Sequence, residues 1–302
     1  MSTESKEIFK LQLSYQKQQS KKKLKIKKSP PWLHPSAFIR QYKKLLKTIM
    51  DKYINVTLSV YPLLENWQKE IKQINDTWEE ELNIINENEF DKIFIEEKES
   101  FKKTLLTTGF LISVFNRNQW QKIINKSLGF DYFVFENWEN SVLNTWVNRN
   151  VNLIKGLTEE YRKKISETII DNFNRGVALK DLKINLQKIN ETFSDYRINL
   201  IAKDQVNKLN AQLSEQRQKD AGIEMYIWNT ARDERVRPKH KVMQGKLCRW
   251  DDATVYSDDG GKTWKSRSSI GGINLHPGED VNCRCFAEAY FEPLVKEINK
   301  TN

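Results

Sequence analysis

The chain has 302 residues, with 50 Lys and Arg against 40 Asp and Glu, a formal net charge of +10. That length fits one large or two ordinary domains, and 9 Trp, 10 Tyr and 14 Phe supply a sizeable core. No apolar run approaches the roughly 20 residues of a membrane span. No apolar h-region follows the first lysines, which argues against a secretory signal. Three Cys make no disulfide framework, so the expectation is a soluble protein of a reducing cytoplasm.

The charge is unevenly distributed. Residues 1–35 hold nine Lys and two Glu, a net +7, which leaves only +3 on the rest. The stretch from Gln16 to Lys28 is Lys- and Gln-rich, and its lysines repel one another with little to bury. It is read as a flexible basic arm over residues 1–35, closed by Ser29-Pro30-Pro31 and His34-Pro35, since consecutive prolines stop a helix. Lys21, Lys22, Lys23, Lys25, Lys27 and Lys28 are the DNA-contact candidates of that arm. Six phosphates neutralised would give sequence-independent, steeply salt-dependent binding. A solvated tail is the alternative.

From 36 to about 135 the pattern is helical. Leu64, Trp67, Ile71, Ile74, Trp78, Leu82 and Ile85 are spaced as one helix face, with Pro62 suited to its first turn. A core-facing helix of a bundle is favoured over a coiled-coil surface, which wants longer heptad runs. Residues 136–222 predict further helices. Tyr161, Ile165, Ile169 and Phe173 form one stripe, ended by Gly176. Leu179, Leu182, Leu186 and Ile189 form the next. A third, with Ser194 as a candidate cap, carries Ile198, Ile201, Ala202, Gln205, Leu209 and Leu213 and stops at Gly222.

The texture changes at 223. Met225–Thr230, Lys246–Trp250, Thr254–Tyr256, Lys262–Trp264 and Cys285–Tyr290 are short strand candidates, and Asp258-Asp-Gly-Gly261 is a turn signal. The fold class is therefore α+β: a long, mainly helical N-terminal part, then a small β-rich module over 223–292 and a tail over 293–302.

Five of the six His and Cys residues fall between His240 and Cys285. Thiolate and imidazole together suit Zn²⁺, which takes four tetrahedral ligands in structural sites. A small module with a thin core would gain folding free energy from it. The candidate ligands are His240, His276, Cys283 and Cys285, with Asp233, Arg237 and Asn282 as supporting residues. Three other readings stay open: buried apolar cysteines beside ordinary hydrogen-bonded histidines, a redox role, and acid–base or metal-assisted phosphodiester cleavage by His240, His276 and Asp233. No complete nuclease motif and no phosphate-binding glycine loop accompany them.

The run from Tyr226-Ile-Trp228 through Asp233 and Arg237 to His240, then Gly245, His276-Pro277-Gly278-Glu-Asp and Asn282-Cys-Arg-Cys285, closely resembles the phage Mu F-like domain of minor head, or head morphogenesis, proteins. Ile201–Asn210, Asn152–Ile154 and the Tyr161–Gly176 helix look like its lead-in, so the resemblance covers roughly 140–292. Cys248 stands outside the family pattern, and Ala202-Lys203-Asp204 replaces a more usual Ala-Arg. The resemblance implies a minor capsid protein of a tailed phage or prophage, acting in procapsid assembly near the portal, with links in some members to DNA packaging or ejection. It implies portal, major capsid or scaffold partners, no membrane, and residence in the host cytoplasm during assembly and then in the virion head. The family is not known for an enzymatic mechanism. A metal-dependent nuclease or toxin-like enzyme is the alternative.

Overall fold

The computed structural model describes residues 3–72 and 77–300. Its helices are α1 (Thr3–Ser20), α2 (Ser36–Val60), α3 (Leu63–Lys72), α4 (Thr77–Ile85), α5 (Asp91–Leu128), α6 (Glu139–Asn174), α7 (Leu179–Glu191), α8 (Ile198–Asp220), the single turn α9 (Pro238–Lys241) and α10 (Glu292–Lys300). The strands are β1 (Met225–Asn229), β2 (Leu247–Arg249), β3 (Val255–Tyr256), β4 (Lys265–Ser266) and β5 (Phe286–Ala289). The fold class is α+β, with the strands of the described residues confined to the C-terminal region.

The residues fall into two compact units. One comprises Ala37–Gly109 and Leu143–Lys203, and its described residues form helices and no strand. Its core follows the predicted spacing: Tyr161, Ile165, Ile169 and Phe173 of α6 are buried, as are Leu182 and Leu186 of α7. The buried phenols find acceptors, as desolvated hydroxyls must. Tyr42 donates to Asn150 Oδ1 at 2.5 Å, and Tyr161 to Asn190 Oδ1 at 2.7 Å. Gly176 adopts φ +63° and ends α6, with the Val177 amide returning to the Asn172 carbonyl at 2.9 Å.

Two expectations change here. The stripe from Leu64 to Ile85 is carried by two helices rather than one, and its Ile74 lies outside the described residues. Trp67 and Trp78 in one straight helix would stand ~16 Å apart, yet their rings are 6.4 Å apart and Trp67 Nε1 donates to Glu81. Ser194 caps nothing: Thr192–Arg197 continues the helical path as a π-helical turn that buries Phe193.

The other unit comprises the residues up to Ser36, Phe110–Val142 and the chain from Asp204 onward. The expected flexible arm is here α1 followed by an extended strap. Phe9 and Leu13, four apart on α1, are fully buried, and Phe9 meets Phe130 and Tyr132 edge-on at 5.5 and 5.0 Å. Strap residues Leu24, Ile26 and Trp32 pack on the same core. The strap is also pinned by its backbone: Lys27 N donates to Ser127 O, Leu24 exchanges two bonds with Asn299, and Leu33 two with Gln119. The lysines left the apolar residues between them free to anchor the chain. The expected C-terminal tail is likewise helical: α10 buries Leu294, Val295 and Ile298 beside α1.

In the C-terminal module, β1 is central in an antiparallel sheet of order β2-β1-β5, with Tyr226 opposite Cys248 and Ala289, and Trp228 opposite Ala287. Alternation sends Tyr226 and Trp228 into the module core. The predicted turn joins β3 to β4, where Asp259 accepts from the amides of Lys262 and Thr263 at 3.0 Å.

Candidate functional site

The site is assembled by three local devices. First, Pro238 opens the turn α9, its fixed φ suiting the first helical position, and places His240 facing inward, 3% exposed. Second, Asn282 adopts φ +54°, a left-handed conformation that Asn tolerates, and its amide donates to Asp204 Oδ1 of α8 at 2.8 Å. That reverses the chain just before the cysteines. Third, the extended Cys283-Arg284-Cys285 segment alternates. Both thiols turn inward, while Arg284 turns outward to grip Asp233 through two bonds of 2.5 and 2.6 Å.

The result is a buried triangle. His240 Nδ1 lies 3.4 Å from Cys285 Sγ and 3.5 Å from Cys283 Sγ, and the three donor atoms all lie within 4.8 Å of one another. The other ring nitrogen, Nε2, is 2.9 Å from Asp280 Oδ2. Asp280 is held in turn by Arg237 at 2.7 Å and Lys239 at 3.2 Å, and Arg237 also donates to the Val281 carbonyl. Burial opposes the Asp280 charge, but the His240 and Lys239 bonds and Arg237 outweigh it and lower its pKa to about 2.

Burial also opposes a charge on His240. Cys283 and Asp280 together override it and raise the His240 pKa. The Cys285 thiol, the His240 ring and the amides of Cys285 and Gly278, both 3.4 Å from the sulfur, make Cys283 the more acidic thiol, and Cys285 keeps its proton. The indole N–H of Trp228 is buried without a hydrogen-bond partner, and its ring meets His240 edge-on at 5.9 Å.

The structure brings together His240, Cys283 and Cys285 and leaves His276 outside the triangle. The His276 Nδ1 is bonded to the Tyr226 hydroxyl at 2.8 Å and its ring lies against Trp250, 5.1 Å between centroids. Burial lowers its pKa. The physical reason is the tight His276-Pro277-Gly278 turn, which seats Gly278 against Ala211 of α8 and points His276 toward the sheet. Asp233 contacts Arg284 and Arg235 rather than a ligand, and Arg284 holds its carboxyl below the ordinary range. Arg237 supports the triangle through Asp280. Asn282 supports it through its backbone, with Oδ1 buried and without a hydrogen-bond partner.

Sequence reasoning missed Asp280, although a carboxylate three residues before a cysteine in a Gly-Glu-Asp turn was a usable signal. It also missed Arg267, a fully buried cation whose bonds reach the carbonyls of Val255, Ile273 and Leu275 and the Tyr226 hydroxyl. Cys248 lies apart in the module core, where burial pushes its thiol up to about 11.

Residues 163–288 match the family model described as Phage Mu protein F like protein. An uncharacterized protein of Haemophilus influenzae (strain ATCC 51907 / DSM 11121 / KW20 / Rd) is 32% identical over 136 residues, which cover 45% of this chain and 26% of the relative. The match thus spans about a quarter of that relative's length. No solved structure matches the chain. No helix among the described residues is long and apolar enough to cross a membrane. Residues 163–288, which contain His240, Asp280, Cys283 and Cys285, are thus similar to the Phage Mu protein F like family, a match over less than half of the chain.

Proposed function

We propose that the chain is a minor head protein of a tailed phage or prophage, acting in procapsid assembly near the portal. The observation that carries this beyond the family match is how the polar residues of the domain are used. His240, Asp280 and the cysteines face one another, Asp233 faces Arg284, and His276 faces Tyr226. These residues shape the module rather than line a reaction chamber. The partners are portal, major capsid or scaffold proteins, met in the host cytoplasm during assembly and retained in the virion head. Co-expression with the portal protein of the same phage or prophage tests the reading: the two co-elute in size-exclusion chromatography. Separate elution at micromolar concentrations counts against a portal contact.

The enzymatic alternative has one feature in its favour, since Cys283, His240 and Asp280 are connected as nucleophile, base and orienting acid are. Size argues against it. The cavity touching His240 and both cysteines is about 60 Å³, against some 300–1,000 Å³ for small-molecule sites, and His276 is not among the residues that line it. Plasmid nicking in the presence of Mg²⁺, Mn²⁺ or Zn²⁺, lost on His240→Ala, would reverse this preference.

A DNA contact by the strap is a separate part of the proposal. Leu24 and Ile26 turn inward, so Lys21, Lys22, Lys23, Lys25, Lys27 and Lys28 are all exposed on an extended, anchored segment. Six lysine–phosphate contacts give a log–log salt slope near −5 on duplex DNA. Replacing the six by Ser, which spares the packed residues, should remove DNA retention; unchanged retention excludes the strap.

A further inference from the structure

We infer that His240, Cys283 and Cys285 form a zinc site with three protein ligands, whose fourth position is taken by an exchangeable water. The ion ties the single turn α9 to the segment leading into β5, and so closes the part of the chain that carries β2, β3 and β4. The inference does not depend on the head-assembly reading.

The three donor atoms belong to buried residues and lie within 4.8 Å of one another, and no fourth His, Cys, Asp or Glu of the described residues joins them at that spacing. Zn–S bonds of about 2.3 Å and Zn–N bonds of about 2.0–2.1 Å at tetrahedral angles hold sulfur and nitrogen about 3.5 Å apart. The two S···N distances here are 3.4 and 3.5 Å. Proton placement points the same way. The Asp280 carboxylate, 2.9 Å from Nε2, only accepts, so the neutral His240 ring carries its proton there and leaves one lone pair at Nδ1. One lone pair serves one thiol, yet two sulfurs lie at nearly equal reach; an ion shared by all three accounts for both. A carboxylate on the far nitrogen is also how a ligating histidine is oriented. The amides of Gly278 and Cys285, both 3.4 Å from Cys283 Sγ, support a ligating thiolate. Two thiolates balance the charge of a divalent ion, which makes its burial tolerable, and the thiol protons that the ion displaces leave to solvent.

The fourth position follows from the cavity. His240, Cys283, Cys285 and Asn282 line one cavity of about 60 Å³. A water needs about 10–15 Å³ of such space, so the cavity holds a water or an ion of a few atoms and excludes a larger organic molecule. The Oδ1 of Asn282 is buried without a hydrogen-bond partner, and it offers a metal-bound water an acceptor. His276, the remaining histidine of the module, is bonded to Tyr226 instead. Three protein ligands and a water make the open form of a zinc site, as distinct from the closed form with four.

The test uses the full chain, stripped with chelator and reloaded with Co²⁺ or Zn²⁺. The expected result is one ion per chain, with thiolate-to-Co²⁺ charge-transfer absorption and the intense visible bands of a tetrahedral ion, all lost on adding Zn²⁺. X-ray absorption of the zinc-loaded wild type should give two sulfurs and two lighter ligands, only one of them an imidazole. These measurements need no variant and stand even if Cys283→Ser or Cys285→Ser fails to fold. Sodium azide should replace the water and shift the visible Co²⁺ bands while the charge-transfer band stays. Asp280→Asn should keep the spectrum and bind Co²⁺ roughly tenfold or more weakly. Absence of a charge-transfer band, or fewer than two sulfurs, overturns the site and leaves a hydrogen-bonded pair of thiols and imidazole. A second imidazole, or azide without effect, overturns the open fourth position. Wild-type affinity in Asp280→Asn overturns the orienting role of Asp280.

Discussion

Arg267 offers the sharpest test of how the module is held together. Its side chain is fully buried, and no carboxylate is among its bonded partners. Four bonds fix the guanidinium: to Val255 O at 2.9 Å, Ile273 O at 3.3 Å, Leu275 O at 2.8 Å and Tyr226 Oη at 3.1 Å. It also lies 5.5 Å from the Trp228 ring centroid. Arg267→Met keeps most of the stem and leaves those acceptors without their donor. The Tyr226 hydroxyl keeps its bond to His276, so at about 1 kcal/mol for each of the three carbonyls left unpaired the sum is about 3 kcal/mol. The lost cation–π contact adds ~1 kcal/mol, and relief from burying the charge offsets part of this. A net loss of about 2–4 kcal/mol results, a large fraction of the ~5–15 kcal/mol typical of a folded protein. Urea unfolding followed by circular dichroism measures it. With a slope of ~1–3 kcal/mol per molar, the midpoint falls by roughly 1–4 M. Arg267→Lys, which keeps the charge and up to three donors, should lose clearly less. A loss below about 1 kcal/mol at unchanged slope for Arg267→Met would refute the reasoning, since the carbonyls would then be satisfied without the guanidinium.

Three further outcomes follow from the same geometry. Gly278 has φ +92°, and an added Cβ would stand 2.2 Å from the Ala211 Cβ; Gly278→Ala should cost ~2–4 kcal/mol from backbone strain and overpacking, and a neutral effect in urea unfolding would show that the turn does not rest on α8. Burial holds the phenols of Tyr42, Tyr132, Tyr161 and Tyr226 above their ordinary value. The unfolded chain therefore gives up protons near pH ~10 that the folded chain keeps, and stability falls as pH rises past that point. Phenolate absorbance in a pH titration should show a late step coincident with loss of helical signal; early, fully reversible ionisation of all tyrosines would contradict it. Cys248, with its thiol pushed up to about 11, should resist alkylation at pH ~8 in the native protein and label on unfolding; mass spectrometry of the labelled peptide decides.

Periodicity made the helical unit legible. Tyr161, Ile165, Ile169 and Phe173 are spaced at the helical repeat and are all buried. The break between α3 and α4 was not, because Leu64 to Ile85 keeps an unbroken helical spacing across it. The strap was hidden by its own charge: six lysines suggested a free tail, while the alternation of Leu24 and Ile26 among them marked an anchored, extended segment. Clustering of His and Cys along the chain pointed to His240, Cys283 and Cys285, but it could not say which way the turn at Pro277 and Gly278 would direct His276. Arg267 carried no local signal, because its role arises from a chain segment that folds back from elsewhere in the sequence, the Ile273–Leu275 carbonyls around its guanidinium.

The central claim is that this chain is a component of a phage head. Quantitative mass spectrometry of procapsids and mature heads, purified after induction of the phage or prophage that encodes it, tests that most directly. The account predicts the chain in procapsids at a fixed low ratio to the major capsid protein, and its loss from particles assembled without the portal. Procapsids of normal composition that lack the chain altogether, while the soluble host fraction contains it, would contradict the account.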